Sequence, residues 1–329
     1  MLQVDLLSLA TQPIRPFESI PIIDISGLSG DADSKAQVAN AIREACIRVG
    51  FFYVKNHGVD ESVIKSTVEI AHRFFDLSLE EKMKLDIHKS PNFKGYTPLL
   101  GENTNPENRG DLHECFDIGP EINSSSNSSM SGSNVWPSEE AIPGFQKAVL
   151  KYYREVIELG LRLFPAFALA LNLPEDFFAD KVKTAAAIMR ILHYPPQTGV
   201  VDERVQGIGA HTDYECFTIL WQDEISALQV LNTSGQWVDA KPIPGTFVIN
   251  IADQLSRWTN DIFKSTVHRA INRSGVRRYS IPLFFGTDYD VKLEVLPSCI
   301  SASRPARYEP ILAGDYLKSR LEETYAHSK

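Results

Sequence analysis

Residues 209–220 read GAHTDYECFTIL and lie inside the region that decides the fold, residues 184–296. This region consists of short β-rich runs separated by Gly, Pro and Asn, about eight strands by the usual strand signals. Helical patterns dominate the chain before it, and an amphipathic helix is predicted at residues 308–325. This order favours an antiparallel sandwich or jelly roll over alternating βαβ units. The predicted fold is mostly β, with a jelly-roll core braced by N-terminal helices and a C-terminal helix.

Five segments follow one another along the chain, and we expect them to form one compact unit. They are an N-terminal region, a Ser-rich insertion, bracing helices, the β-rich core and a C-terminal helix, at residues 18–120, 121–137, 138–183, 184–296 and 297–329. Pro13 and Pro16 predict an irregular start to the chain, because proline blocks regular structure. Residues 90–110 are rich in Pro, Gly and Asn and predict a long loop.

The composition excludes several classes of protein. The 329 residues are 43% hydrophobic and 23% charged, as in an ordinary globular protein. A net charge of −9 without any basic run argues against nucleic acid as a partner. The four cysteines are far apart and form no CxxC motif, which indicates a reduced chain without a zinc knuckle. With no signal-peptide pattern and no apolar stretch long enough for a membrane, we expect a cytoplasmic protein with no obligate protein partner.

The HTD triplet within residues 209–220 is a candidate metal site. Residues two apart in a strand project from the same face, so His211 and Asp213 can contact one ion. The leading candidate for a third ligand is His268, in STVHRA. Two histidines and one carboxylate on one side of an ion form the facial triad of non-haem Fe(II) oxygenases, which leaves positions open for a cosubstrate and O2. Taken alone, the HxD pattern is equally consistent with a surface His beside a turn Asp.

A second alternating triplet follows ten residues after His268. Arg278 and Ser280 share a face, and a guanidinium beside a hydroxyl is suited to binding a carboxylate. An arginine inside a β-rich run needs an anionic partner when it is buried. The alternative to ligand binding is a structural salt bridge from Arg278 to an Asp or Glu.

Together these motifs resemble the 2-oxoglutarate and Fe(II)-dependent oxygenases of the isopenicillin N synthase-like group. The resemblance covers residues 18–325 apart from the Ser-rich insertion, and it is carried by PIIDI, GFFYVKNHG, LSLEEK, DLHECFDIG, HTDYECFTILWQD, FKSTVHRAINRSGVRRYSIPLFF and YEPILAGDYLKSRL. It implies a distorted double-stranded β-helix. It also implies that residues 18–120 are the N-terminal non-haem dioxygenase region and residues 184–296 the Fe(II)/2-oxoglutarate core.

The resemblance also implies the roles of individual residues. By position, His211, Asp213 and His268 would bind Fe(II), and Arg278 with Ser280 would hold the distal carboxylate of 2-oxoglutarate. No side chain is assigned as an acid or base, because the protein's part in such chemistry is to position the reactants and exclude water.

Three further positions bear on the cosubstrate and the pocket. Tyr194, in LHYPP, matches a tyrosine that contacts 2-oxoglutarate in several family members. Leu192 stands where many members have Asn, and Glu215 stands where the family usually has Gly. These two departures are the points at which this chain differs from the family pattern.

The implied function is that of a 2-oxoglutarate-dependent Fe(II) oxygenase. It would use O2, release succinate and CO2, and hydroxylate or oxidatively rearrange a small metabolite, for which a methyl-bearing aromatic polyketide is one candidate. One alternative is an isopenicillin N synthase-like oxidase that uses no 2-oxoglutarate, because there the Arg and Ser hold the carboxylate of the substrate. A second alternative is a non-catalytic small-molecule-binding protein on the same scaffold.

Arg190 is the candidate substrate-binding residue. In the strand AIMRILHY, residues 187–194, alternation places Ile188, Arg190, Leu192 and Tyr194 on one face. If Tyr194 faces the iron pocket, Arg190 does too. The hypothesis is that Arg190 anchors an anionic or strongly polar oxygen of the substrate. The alternative is a structural arginine paired with a nearby carboxylate.

Overall fold

In the part of the chain that the structure describes, seven helices pack around the strands. The structure, a computed structural model, describes residues 6–104, 110–121, 132–197 and 206–326, so most of the Ser-rich insertion lies outside the described residues. The helices are α1 Leu6–Thr11, α2 Ala32–Arg48, α3 Glu61–Phe75, α4 Leu79–Met83, α5 Phe145–Ala170, α6 Asp253–Trp258 and α7 Ala313–Ala326. No helix in these ranges combines the length and the apolar composition needed to cross a membrane.

The strands form two main sheets. They are β1 Ile22–Asp24, β2 Phe51–Lys55, β3 Gly95–Thr97, β4 Glu114–Ile118, β5 Ala187–Tyr194, β6 Ile208–His211, β7 Phe217–Gln222, β8 Leu228–Leu231, β9 Trp237–Asp239, β10 Thr246–Ile251, β11 His268–Ala270, β12 Arg278–Phe285, β13 Lys292–Leu293 and β14 Ile311–Leu312. The large sheet has the order β1-β2-β10-β7-β12-β5-β4-β3 and the small sheet the order β6-β11-β8-β9. Two sheets of mainly antiparallel strands with flanking helices confirm the predicted jelly-roll class.

Strand alternation gives the large sheet one face for the helices and one for a cavity. On the helix face, the rings of Phe217 and Phe285 stack and pack edge-on against Phe164 of α5, at centroid distances of 5.1 and 5.5 Å. On the other face, Thr218 and Phe284 line a cavity between the two sheets. The long helix therefore holds one side of β7 and β12, so that their other side is positioned for function.

The start of the chain differs from the prediction in two respects. Residues 6–11 form α1, and Leu6 is buried in the main apolar core, because Pro13 and Pro16 come only after this helix has ended. Strands β1 and β2 are parallel and are joined by α2, which is a βαβ unit of the kind that the element order argued against. Parallel neighbours need such a crossover, and α2 supplies it at the edge of the sheet.

The structure also differs from the prediction in the loop at residues 90–110 and at the start of the last helix. The loop predicted at residues 90–110 contains β3, which pairs with β4 through Tyr96 opposite Phe116. The local composition is typical of a loop. It gives no sign of β4, the strand that pairs with β3 in the folded protein. The last helix begins at Ala313 and not at residue 308, since β14 occupies Ile311–Leu312.

Candidate active site

The three predicted metal ligands meet at one end of the small sheet. His211 ends β6, His268 begins β11, and the two residues lie directly opposite each other in the antiparallel pair. Asp213 follows β6 by two residues, and its Oδ1 lies 3.5 Å from His211 Nε2 and 3.6 Å from His268 Nε2. The three ligand atoms all lie within 4.8 Å of one another. The structure therefore brings together the set that the sequence proposed.

Backbone carbonyls orient both imidazoles toward this point. His211 Nδ1 donates to the Gly209 carbonyl at 2.8 Å, and His268 Nδ1 donates to the Thr266 carbonyl at 3.1 Å. With the proton fixed at Nδ1, the lone pair of each Nε2 is directed at Asp213, as is usual for metal-binding histidines. Burial and the proximity of His211 lower the pKa of His268 to about 4, which keeps it in the neutral form that binds metals.

The two oxygens of Asp213 have different environments. Oδ2 accepts hydrogen bonds from Thr218 Oγ1 at 2.5 Å and from Asn250 Nδ2 at 2.7 Å, whereas Oδ1 is directed at the two histidines. Burial alone raises the pKa of Asp213, but attraction to His268 and the hydrogen bonds outweigh it and hold this pKa well below its usual range. The donor set is therefore two imidazoles and one ionised carboxylate oxygen, which fits Fe(II).

Thr218 and Asn250 are functional residues that the sequence analysis missed. Both are less than 4% exposed, and they belong to β7 and β10 of the large sheet. The available signal was a polar side chain within an apolar strand, CFTIL for Thr218 and FVINI for Asn250. Buried polar side chains need partners, so each of them indicated a neighbour that sequence spacing alone did not identify.

Arg278 is a buried arginine without a charged partner. It is 1% exposed, and its nitrogens donate to the Ile225 carbonyl at 3.2 Å, Gln222 Oε1 at 3.3 Å and Ser280 Oγ at 3.4 Å. Among the described residues, no Asp or Glu forms an ion pair with it. The described residues therefore give no support to a structural salt bridge from Arg278 to an Asp or Glu. The long hydrogen bonds to neutral oxygens fit a site for an anionic ligand.

Tyr194 lies beside Arg278. The two residues are cross-strand partners in β5 and β12, and the Arg278 guanidinium carbon lies 4.7 Å from the centre of the tyrosine ring. Ser280 Oγ donates to the Tyr194 hydroxyl at 3.4 Å. Leu192 lies opposite Ser280 and packs in a small apolar cluster with Cys115, so an apolar contact occupies the position at which many family members have Asn.

Arg190 faces the cavity, as strand alternation predicted, but its partners are two carboxylates of the protein. It donates to both oxygens of Asp117 at 2.8 and 2.6 Å and to both oxygens of Glu102 at 2.7 and 2.9 Å. These contacts match the alternative of a structural arginine, and they leave a single N–H for any other acceptor. Asp117 lies directly opposite Arg190 in the pairing of β4 with β5, a relation that sequence spacing does not reveal.

The cavity between the sheets has a volume of about 160 Å³ and a strongly charged wall. Glu102, Asp117 and Glu215 line it together with Arg190 and His113. Burial, followed by repulsion from Asp213, raises the pKa of Glu215 to about 8. Ligand atoms of Glu102, His113 and Cys115 also lie within 4.8 Å of one another, but both oxygens of Glu102 already accept from Arg190.

The last helix closes the cavity from a third side. Leu317 and Leu321 of α7 line it, and the Arg320 guanidinium lies 4.9 Å from the centre of the Tyr214 ring. The Tyr316 hydroxyl donates to Asp253 Oδ2 at 3.2 Å. Because Tyr214 and Asp253 flank the metal-binding segment, α7 is attached to the edge of the site by polar as well as apolar contacts.

A facial cluster of two histidines and one carboxylate on a jelly roll defines the class of mononuclear non-haem iron oxygenases. Residues 20–139 match the family model described as non-haem dioxygenase in morphine synthesis N-terminal, and residues 185–287 match that of the 2OG-Fe(II) oxygenase superfamily. The chain belongs to the 2OG-Fe(II) oxygenase superfamily and is a 2-oxoglutarate- and Fe(II)-dependent dioxygenase.

Individual relatives agree with this assignment. The chain is 38% identical to the 2-oxoglutarate-Fe(II) type oxidoreductase hxnY of Emericella nidulans, over 94% of this chain and 91% of that protein. It is 35% identical to a homoarginine-6-hydroxylase of Oryza sativa, over 93% and 97% of the two chains. A full-length Neurospora crassa enzyme crystallised with alpha-KG and thymine superposes with a TM-score of 0.85 at 30% identity, over 93% and 97% of the chains. These names support the interpretation with 2-oxoglutarate over the oxidase and the non-catalytic alternatives.

Proposed function

We propose that this dioxygenase hydroxylates or oxidatively rearranges a small metabolite in the cavity between its two sheets, and that His211, Asp213 and His268 bind its iron. Bound Fe(II) supplies the activation of O2 while 2-oxoglutarate is oxidised to succinate and CO2. Two imidazole Nε2 atoms and one carboxylate oxygen converge within 4.8 Å, which supports these three residues as the ligands. Asn250 and Thr218 keep the carboxylate in place.

The observation that carries the proposal is the buried guanidinium of Arg278, which has no ion-pair partner among the described residues. Its remaining N–H groups suit the distal carboxylate of 2-oxoglutarate, and Ser280 and Tyr194 complete the polar wall beside it. These residues neutralise and orient the cosubstrate, and the surrounding sheet excludes water from it.

Arg190 was expected to anchor an anionic or strongly polar oxygen of the substrate, but most of its N–H groups are used within the protein. It holds Glu102 and Asp117 in place on the cavity wall and can offer the substrate one N–H from Nη1.

The cysteines and the net charge support a proposal for the compartment and the kind of partner. All four cysteines are buried thiols without a disulfide, which supports a reducing compartment, and we propose the cytoplasm. The net charge of −9 favours a small molecule over nucleic acid as the partner.

The test is succinate release from the Fe(II)-loaded protein in the presence of 2-oxoglutarate, O2 and a panel of small metabolites. Homoarginine and thymine enter the panel first, because they appear in the names of similar proteins. We expect succinate that depends on iron and on one class of compound. Oxygen uptake without succinate would support the oxidase alternative, and the absence of iron-dependent oxygen uptake would overturn the proposal.

A further inference from the structure

Glu215 is a buried acidic residue that lines the cavity, and its carboxyl group accepts a hydrogen bond from its own backbone N–H. It is 5% exposed, lies in the turn between β6 and β7, and lines the cavity. Among the described residues, no other side chain or backbone group forms a hydrogen bond or ion pair with its carboxylate. A buried carboxylate is normally paired, so the missing partner is expected to be a ligand.

The charges around Glu215 define the kind of ligand that fits. Asp213, another acidic residue, lies two positions away, and among the described residues no Lys, Arg or His forms an ion pair with Glu215. Arg190 already shares its N–H groups between Glu102 and Asp117. The wall away from the 2-oxoglutarate site therefore holds Glu102, Asp117 and Glu215 together with Arg190 and His113. Within this set, Glu102 and Asp117 pair with the cationic residues, whereas Glu215 has no ion pair among the described residues.

We propose that Glu215 binds a cationic nitrogen group of the substrate, an ammonium or a guanidinium. This inference rests on the proposed function, because it assigns the substrate class of the same oxygenase site. Charge-assisted N–H···O bonds from the bound cation would satisfy the carboxyl group of Glu215 and favour its ionised form. A neutral analogue of the same shape would leave Glu215 without a charged partner, so the residue acts as a specificity determinant.

The apolar part of the cavity is consistent with a cation on a short carbon skeleton. Leu220, Leu228 and Phe284 line the cavity together with Leu317 and Leu321 of α7. Apolar walls with a few directed polar groups are typical of small-molecule sites, in which the polar groups fix the orientation of the ligand. Glu215 would bind the charged end while these side chains cover the hydrocarbon.

The experiment compares two fragments of equal shape and different charge, n-butylguanidinium and n-butylurea. Protein loaded with Mn(II) and 2-oxoglutarate, which does not turn over, is heated with each fragment at up to about 50 mM, a concentration suited to fragments of this size. We expect butylguanidinium to raise the Tm and to bind at least about tenfold more tightly than butylurea, because a ligand that binds the folded state stabilises it.

Three variants show whether Glu215 is responsible. Glu215→Gln and Glu215→Gly should lose the preference for the cation, and the second variant restores the residue that the family usually has. Glu224→Gln, the same change at an exposed position nearby, should keep the preference. Equal binding of both fragments, no stabilisation by either of them, or a preference that persists in both Glu215 variants would overturn the proposal.

A separate arm tests the proposed function. In the Mn(II)-loaded protein, 2-oxoglutarate alone should raise the Tm of the parent and have a much smaller effect in Arg278→Gln. If 2-oxoglutarate does not stabilise the parent, the proposed function fails, whatever the fragments show. If it does and the fragments show no charge preference, only the assignment of Glu215 fails.

Discussion

At the scale of single residues, the metal site depends on how one carboxylate is held. Asn250→Ala removes a hydrogen bond from Asp213 Oδ2 and leaves all three ligands in place. We expect the dissociation constant for Fe(II) to rise by about 10–100-fold, as for other groups that orient metal ligands. Anaerobic Fe(II) titration measures this change. Asn232→Ala, in the turn after β8, is the matched control, and equal Fe(II) affinity in both variants would contradict the role given to Asn250.

Removing a ligand should affect activity much more than folding. His211→Ala, Asp213→Ala and His268→Ala are each expected to abolish succinate release, while the Tm changes by only a few degrees. The reason is that the apolar core lies on the helix face of the large sheet, away from the ion. Full turnover in any one of these variants would remove that residue from the ligand set.

Arg278→Gln tests the cosubstrate site. Glutamine keeps a polar side chain but loses the charge and the two parallel donors. The loss of a charge-assisted pair costs about 1.5–3 kcal/mol, so we expect the 2-oxoglutarate concentration at half-maximal rate to rise by at least roughly tenfold. Arg277→Gln is the control. Arg277 is next to Arg278 in the sequence, but its side chain is 48% exposed and pairs with Asp76 on the surface. An unchanged requirement for 2-oxoglutarate in Arg278→Gln would favour the oxidase alternative.

Much of this site could be predicted from the sequence because strand alternation is a local property. His211 with Asp213, and Arg278 with Ser280, are pairs two residues apart, and each pair needs only an extended backbone to share a face. Asn250 and Asp117 could not be assigned in this way. Their partners lie 37 and 73 residues away, and their contacts depend on sheet order and register.

At the scale of elements, the pair β4 and β5 depends on one buried charge cluster. Arg190→Ala leaves Asp117 without its cation and Glu102 with only His113, and both carboxylates are at most 4% exposed. We expect the free energy of unfolding to fall by about 3–5 kcal/mol, as when one partner of a buried ion pair is removed. Urea unfolding measures the change.

The control for this variant is the exposed pair of Arg277 with Asp76. Arg277→Ala should cost about 1 kcal/mol or less, because surface ion pairs contribute little. If Arg190→Ala were as stable as the parent and lost only affinity for the substrate, the original hypothesis that Arg190 anchors a substrate oxygen would be supported.

Some helix starts carry a local signal that short strands lack. Asp60 and Ser78 cap α3 and α4 through hydrogen bonds from the first turns, and both caps are visible in the sequence. Strand β3 has three residues in a stretch rich in Gly and Pro, so its composition indicates a loop. Only its pairing with β4 makes it a strand, and pairing of this kind depends on tertiary structure.

At the scale of the whole molecule, the N-terminal half supplies strands to the same sheet as the catalytic core. β2 pairs with β10, β4 pairs with β5, and Phe164 of α5 covers Phe217 and Phe285. We therefore expect a fragment comprising residues 184–329 to show no cooperative thermal unfolding by circular dichroism, because two strand edges and the helix face of the sheet would be exposed. A sharp transition in this fragment would show that the core folds alone.

The pairing of β2 with β10 also affects how the chain folds while the ribosome synthesises it. Strand β2, with the sequence FFYVK, is followed by about 190 residues before its antiparallel partner is reached. At roughly 5–20 residues per second, translation delivers that partner about 10–40 s later. During this interval the nascent chain carries an apolar strand with one unpaired edge, which is a binding site for chaperones and a source of aggregation during rapid overproduction.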